Sequence, residues 1–194
     1  EALYNLGLVH DHLQDKGLAL KCYEEALKID SDFVSAHINR GILLHEKLEH
    51  QEAIKAYDRA ISLNPTIVDA WLNKGNSLHA IGRYKDALKV YKEALEIEPQ
   101  SHDILWNKSL IDLTLGDFTA GWQAYESRFK AKKGIASFFG KIRRLESLKK
   151  IKGKKILIWW EQGYGDSIQF CRFLNAVSEL GGDVIFYVQS PLLR

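Results

Sequence analysis

Asp69–Pro99 reads DAWLNKGNSLHAIGRYKDALKVYKEALEIEP. Two apolar patterns, DAWLNKGNSLHAI and KDALKVYKEALEI, flank a short GRY turn, and EP closes the second. In both, apolar residues recur every three or four positions, the period of a helix with one face on a core. The stretch therefore predicts a helix-turn-helix hairpin.

The same hairpin recurs along the chain with a period of 34 residues. Gly7, Gly41 and Gly75 share one column, and the next step lands on Ser109. Ala19, Ala53 and Ala87 form a second column, Tyr23, Tyr57, Tyr91 and Tyr125 a third, and Ala26, Ala60 and Ala94 a fourth, with Pro65 and Pro99 in phase. Small residues let the paired helices approach closely, and the tyrosine fills the space between them. One hairpin cannot cover its own apolar face, so the units must stack into a solenoid. Spacing and residue types resemble the tetratricopeptide repeat over about residues 1–130, with Trp71, Gly75, Tyr84, Ala87, Tyr91, Ala94 and Pro99 matching its motif. About four units are expected. Glu1 falls near the second position of a unit, so further repeats are expected upstream. The fourth unit, HDILWNKSLIDLTLGDFTAGWQAYESRFK, departs from the pattern: Gly121 and Arg128 replace the column alanines and no proline closes it. It reads as a terminal repeat shaped to meet something else.

Composition fits a soluble globular protein: 46% hydrophobic and 27% charged residues, with no run near the ~20 apolar residues that cross a bilayer. No signal-peptide pattern opens the chain, so a cytoplasmic location is expected. Cys22 and Cys171 belong to no CxxC pair; both read as buried small hydrophobes, and neither a disulfide nor a metal site is indicated. The net charge of +2 hides an asymmetry. Residues 1–127 hold 20 Asp/Glu against 13 Lys/Arg, whereas residues 128–155 hold 12 Lys/Arg against 1 Glu.

Asn5, Asn39, Asn73 and Asn107 form a further column on the first helix of each hairpin, just before the packing glycine. In tetratricopeptide superhelices the first helices line the concave groove. A carboxamide both donates to and accepts from a peptide unit, so such a ladder could hold an extended chain by its backbone. It resembles the asparagine ladder of the O-GlcNAc transferase superhelix. The other reading is that these amides bond within the array. Asp69 and Asp103 head their helices and read as caps. His37, His45 and His79 lack partners at metal-ligand spacing and read as solvated or groove-lining.

The connector RFKAKKGIASFFGKIRRLESLKKIKGKK places Phe138, Ile142, Leu145 and Leu148 at helical spacing, with Lys141, Arg143, Arg144, Lys149 and Lys150 around them. Three readings stand: the stripe caps the solenoid's open end, it attaches the chain to an anionic membrane surface through residues 131–155, at the inner face of the membrane, or it meets nucleic acid. The last is disfavoured because no recognition motif accompanies the charge.

After Lys155 the character changes. ILIWW is a strand pattern, IQFCRFLNAVSEL a helix stopped by GG, DVIFYVQ a second strand, and SPLLR opens a helix with Ser190 as cap and Pro191 first. Strand, glycine loop, helix and strand make the first β-α-β unit of a Rossmann-like α/β domain. The expected fold class is thus mainly α, a solenoid over 1–130, a basic amphipathic connector over 131–153 and a truncated α/β part over 154–194. Because a two-stranded sheet is not a domain, the chain is expected to be a fragment.

The loop EQGYGDS lies where open α/β sheets bind ligands, although Asp166 and Gln169 would also make a D-x-x-Q capping box. Residues 153–194, with the preceding GDFTAGWQAYESRF, resemble the start of the catalytic region in bacterial tetratricopeptide proteins carrying a heptosyltransferase-like, GT-B glycosyltransferase domain. Tyr164 departs from the leucine usual there. The resemblance implies Asp166 as general base, Gly163 and Gly165 shaping the acceptor side, and Gln162 or Ser167 contacting the acceptor. It implies a nucleotide-sugar donor for the parent protein, a glycan, lipid or protein acceptor, and a fragment that binds but does not catalyse. The alternative is a stand-alone adaptor that takes extended peptides in its groove without enzymatic activity.

Overall fold

The computed structural model describes residues 1–131, 145, 147–159, 167–169 and 171–188. They fall in two compact units, residues 1–134 and 135–194.

The first unit is a stack of four helical hairpins. The first helices are α1 (Ala2–His12), α3 (Val34–Glu46), α5 (Val68–Ala80) and α7 (His102–Thr114); the second are α2 (Lys16–Ile29), α4 (His50–Leu63), α6 (Tyr84–Ile97) and α8 (Phe118–Tyr125). Each helix packs on the next in sequence. Successive first helices also approach one another, α3 on α5 and α5 on α7, more closely than successive second helices do. The first helices therefore line the inner side of the curve.

The columns explain the stacking. A Cβ on Gly7 or Gly41 would lie 2.5 Å from the Cε1 of Tyr23 or Tyr57, and one on Gly75 closer still to Tyr91. Any larger residue would collide with a fully buried ring. Ala19, Ala53 and Ala87 are likewise completely buried. Burial also holds the phenols of all three tyrosines above their usual range, that of Tyr23 at about 12, so the rings stay neutral.

Local backbone chemistry repeats with the same period. Each first helix ends on a residue in the left-handed region: Gln14 (φ 63°), Leu48 (φ 65°), Gly82 (φ 74°) and Gly116 (φ 87°). The following N–H, at Asp15, Glu49, Arg83 and Asp117, donates to the carbonyl of His10, Leu44, Leu78 and Asp112 at 2.8–2.9 Å. That is a Schellman closure. Between units, Asp30 Oδ1 accepts from the Asp32 N–H and Asn64 Oδ1 from the Thr66 N–H, the Asx turns that redirect the chain. Side chains then pin these loops: Trp71 Nε1–H donates to the Pro65 carbonyl and His37 Nε2–H to that of Ser31, both at 2.8 Å. His37 is thus a structural staple in the tryptophan column rather than a solvated or groove-lining residue.

The side-chain N-caps also differ from expectation. Asp69 lies in the first turn of α5, whose N-cap is Ile67, and Asp103 in that of α7, whose N-cap is Ser101. Among the eight helices of the first unit, the caps whose side chains accept from the backbone are Asp15 and Asp117, which head α2 and α8.

The fourth hairpin departs where its sequence does. Ser109 fills the glycine column and turns its buried Oγ–H back to the Trp106 carbonyl at 2.6 Å. Gly121 is required because a Cβ there would meet Leu113 at 2.7 Å. Arg128 is buried, donates to the Tyr125 carbonyl at 3.1 Å, and lies over the Tyr125 and Phe129 rings at 4.3 and 4.0 Å. α8 is correspondingly short and passes into a 3-10 turn over Glu126–Phe129. Phe118 and Trp122 on it are exposed, whereas Ile54, in the tryptophan's column, is 7% exposed under the next hairpin.

In the second unit β1 (Lys155–Trp159) and β2 (Asp183–Tyr187) pair in parallel, Ile156 opposite Val184 and Ile158 opposite Phe186. Between them lie a helical turn at 167–169, a 3-10 turn at Cys171–Phe173 and α9 (Leu174–Glu179), so the expected single helix is divided. Gly181 (φ 87°) ends it, and Gly153 N–H donates to the Gly181 carbonyl at 2.8 Å. Ile185 and Tyr187 remain about half exposed on a sheet of two strands. The cysteines are free, Cys22 half-buried and Cys171 exposed with its Sγ on the Ile168 carbonyl, so neither is the fully buried residue expected.

The glycine column gives a direct test. Gly41→Ala should lower stability by about 1–3 kcal/mol through overpacking, despite alanine's better helix propensity. In a Tyr57→Leu background the same change should be neutral or stabilising in urea unfolding, because the colliding ring is gone.

Candidate functional site

The inner face is built from one stripe on each first helix. The asparagine column stands two residues before the glycine column, about 160° round the helix, and so points away from the hairpin's own second helix. Residues four before and seven after each asparagine share that side. The stripe therefore comprises Glu1, Asn5 and His12; Ser35, Asn39 and Glu46; Asp69, Asn73 and Ala80; and Asp103, Asn107 and Thr114.

The four asparagines are not equivalent. Asn5 is exposed. Asn39 Nδ2 donates to the Tyr4 hydroxyl at 3.1 Å, and Asn107 Nδ2 to Asn76 Oδ1 at 3.1 Å. Asn76 Oδ1 also accepts from the buried Tyr91 hydroxyl at 2.7 Å. Asn73 is half-buried, and its backbone carbonyl accepts from Ser77 Oγ. Two ladder amides thus tie adjacent hairpins together, as the second sequence reading has it. A carboxamide has two donor hydrogens and two lone pairs, so one such bond still leaves capacity for a ligand. Asn76 escapes sequence reasoning because its column otherwise holds Leu8, Ile42 and Leu110.

Two of the histidines turn out to be packed. His45 Nδ1 lies 2.8 Å from the fully buried Ser77 Oγ of the next hairpin and 3.3 Å from His50 Nδ1, with the two rings 4.7 Å apart edge to face. His79 takes the same column and packs on Tyr84 at 5.5 Å. Neither is simply solvated. Burial, and then the neighbouring His50, hold His45's imidazole below its ordinary value, with Glu46 opposing.

Of the loop residues, Gln162, Gly163, Gly165 and Asp166 lie outside the described residues, as do Trp160, Ser190 and Pro191. Ser167 is described and is buried at 6% exposure. In the connector, Phe138, Ile142, Lys141, Arg143 and Arg144 also lie outside, while Leu148, Lys149 and Lys150 form an exposed 3-10 turn. Among the described residues no helix is long and apolar enough to cross a membrane.

An array of paired helices with this period, glycine–tyrosine packing and an inner face of first helices is a tetratricopeptide solenoid. Residues 1–33 and 38–102 belong to that repeat family: each stretch matches a tetratricopeptide repeat profile. Protein FlbA of Caulobacter vibrioides is 38% identical over 77 residues, 39% of this chain and 13% of FlbA, so the match spans about an eighth of that relative. Among solved structures, MamA superposes with a TM-score of 0.62 at 21% identity, covering 68% of this chain and 77% of MamA. The first repeat domain of Spaghetti bound to the HSP90 peptide SRMEEVD gives 0.57 at 21% identity, covering 59% and 90%. The Arabidopsis OM64 repeat domain gives 0.56 at 22% identity, covering 58% and 93%. At these identities the likeness is one of fold.

The histidine cluster predicts a pH dependence. His45's folded-state pKa is depressed, so below about pH 6.5 the unfolded chain binds more protons and stability falls. The thermal midpoint should drop between pH 7.5 and 5.0. His45→Asn, which keeps a hydrogen-bonding atom near the Nδ1 position, should flatten that slope; an unchanged slope would assign the pH dependence elsewhere.

Proposed function

We propose that the repeats bind an extended segment of a partner protein along the inner face, gripping its backbone. The observation that carries this is the stripe of asparagines recurring every 34 residues on the inner side. A period set by the helices, and amides able to pair with any peptide unit, suit a ligand recognised by its main chain rather than its side chains. Spaghetti's repeat domain, of the same fold, holds a peptide in its solved structure.

A second reading rests on a separate observation, the parallel β1–β2 pair joined through helical segments. With the resemblance of 153–194 to heptosyltransferase-like domains, it supports a parent protein that transfers sugar from a nucleotide donor to a glycan, lipid or protein acceptor. Asp166 is its proposed general base, within a loop formed by Gln162, Gly163, Gly165 and Ser167. The repeats then recruit the partner, the basic residues 131–155 suit an anionic membrane surface, and the protein works in the cytoplasm. This chain binds without catalysing.

Two measurements bear on these readings. Asn39→Ala with Asn73→Ala should weaken an extended peptide about tenfold or more, two hydrogen bonds at ~1 kcal/mol each, without loss of helicity; unchanged affinity rejects the ladder. Nucleotide-sugar turnover by the natural full-length protein should be abolished by Asp166→Ala, and turnover that survives would eliminate that residue as base.

A further inference from the structure

The carboxamide of Asn107 is aimed by a chain of two other side chains. Tyr91 is fully buried, and burial holds its phenol above the usual range, so the hydroxyl keeps its one proton. Leaving a buried hydroxyl unpaired is costly, and Asn76 Oδ1 accepts that proton at 2.7 Å. The direction of Asn76 is thereby settled, because its amide nitrogen could only donate and would leave the phenol's proton without an acceptor. The same Oδ1 lies 3.1 Å from Asn107 Nδ2, so Asn107 must turn its own nitrogen toward Asn76 to donate.

Asn107 thus spends a donor hydrogen on the protein, while among the described residues its Oδ1 accepts no bond. The other ladder amides are not directed in this way. Asn39 donates to the Tyr4 hydroxyl, but a hydroxyl both donates and accepts, so that contact suits either face of the amide. Asn5 and Asn73 have no side-chain bond among the described residues, and one unit before Asn76 its column holds Ile42, which gives Tyr57 no amide to direct.

We infer that Asn107 is held as a hydrogen-bond acceptor for a backbone N–H of the bound segment, with Asn76 as its positioning residue. This rests on the groove reading above and adds which main-chain group the groove takes at α7. The class of ligand follows. A residue without an N–H, such as proline, leaves the Asn107 oxygen unpaired when it stands opposite. The partner segment is therefore extended and free of proline where it meets α7.

The test is fluorescence anisotropy on the full chain with a ten-residue Ala/Ser peptide and with the same peptide methylated on every backbone nitrogen. The readout is the ratio of the two dissociation constants. In the unaltered protein the methylated peptide should bind at least tenfold more weakly. Asn76→Leu with Tyr91→Phe restores a residue usual in that column, leaves no phenol unpaired and frees Asn107 to rotate, so the ratio should fall at least threefold. Asn76→Asp, whose carboxylate accepts from both Tyr91 and Asn107, should keep the original ratio. The bulk of the methyl groups is the same throughout, so a changed ratio reports the direction of the amide. A ratio unchanged in the double variant overturns the inference, as does one that collapses in Asn76→Asp while helicity is kept. Binding of the unmethylated peptide that is indifferent to both Asn73→Ala and Asn107→Ala instead refutes the groove reading itself.

Discussion

The contact between a glycine on each first helix and a buried tyrosine on the second sets the geometry of the array. A ring edge lying where a Cβ would stand fixes how closely the two helices approach. The alanine columns continue that approach along the helix. Once the hairpin is fixed, the stack follows, because each unit leaves an apolar face that only a neighbour covers. Ile54 shows it: a residue of the second hairpin, it is buried in the cluster built by the third and fourth.

Such columns are legible in sequence because they answer to contacts within one unit, repeated. Gly7, Gly41 and Gly75 declare themselves by period alone. Side chains whose partners lie in the next unit do not. His45 meets Ser77, 32 residues on; histidine recurs in the first column at His79, but the serine stands where the other units have Val9, Leu43 and Ile111, so a single chain offers no signal for the bond. His37 was hidden for a different reason: it replaces a tryptophan, and only the shared ring N–H and the matching carbonyl reveal that His and Trp do one job. In sequence the aspartates of the inner stripe read as caps, because a helix's first turn favours acids whatever else they do. In the second unit strand composition and turn glycines carry the signal, and β1, β2 and Gly181 lie where those signals put them, whereas its helical stretch is divided in a way that no periodicity foretells.

The charges follow a rule of the same kind. At the first two junctions a basic residue in the column of Arg40 and Lys74 faces an acid in the column of Glu24 and Asp58. Pairs whose acid stays open to solvent, as Glu24 and Asp58 do, contribute little to stability, ~0–1 kcal/mol. Their larger effect is on what the first helices present. By drawing each cation sideways toward the preceding unit, the bridges leave the inner face to amides and carboxylates.

The third junction shows that this outcome does not depend on the bridge itself. Lys92 stands where the acid should be, and two cations facing each other across the junction would repel. Lys108 turns to Asp112, which is 6% exposed and would be costly to bury as a carboxylate without a partner. The pair is therefore mutually required: the lysine needs an acid because its column partner has changed sign, and the buried acid needs the lysine. Removing Lys108 would leave the buried Asp112 carboxylate without its cation, a penalty of several kcal/mol, because the acids of the other two bridges are far more open. The last regular first helix thus keeps its only cation off the inner face by a stronger constraint than the helices before it, at the end of the array where Asp103 and Asn107 stand.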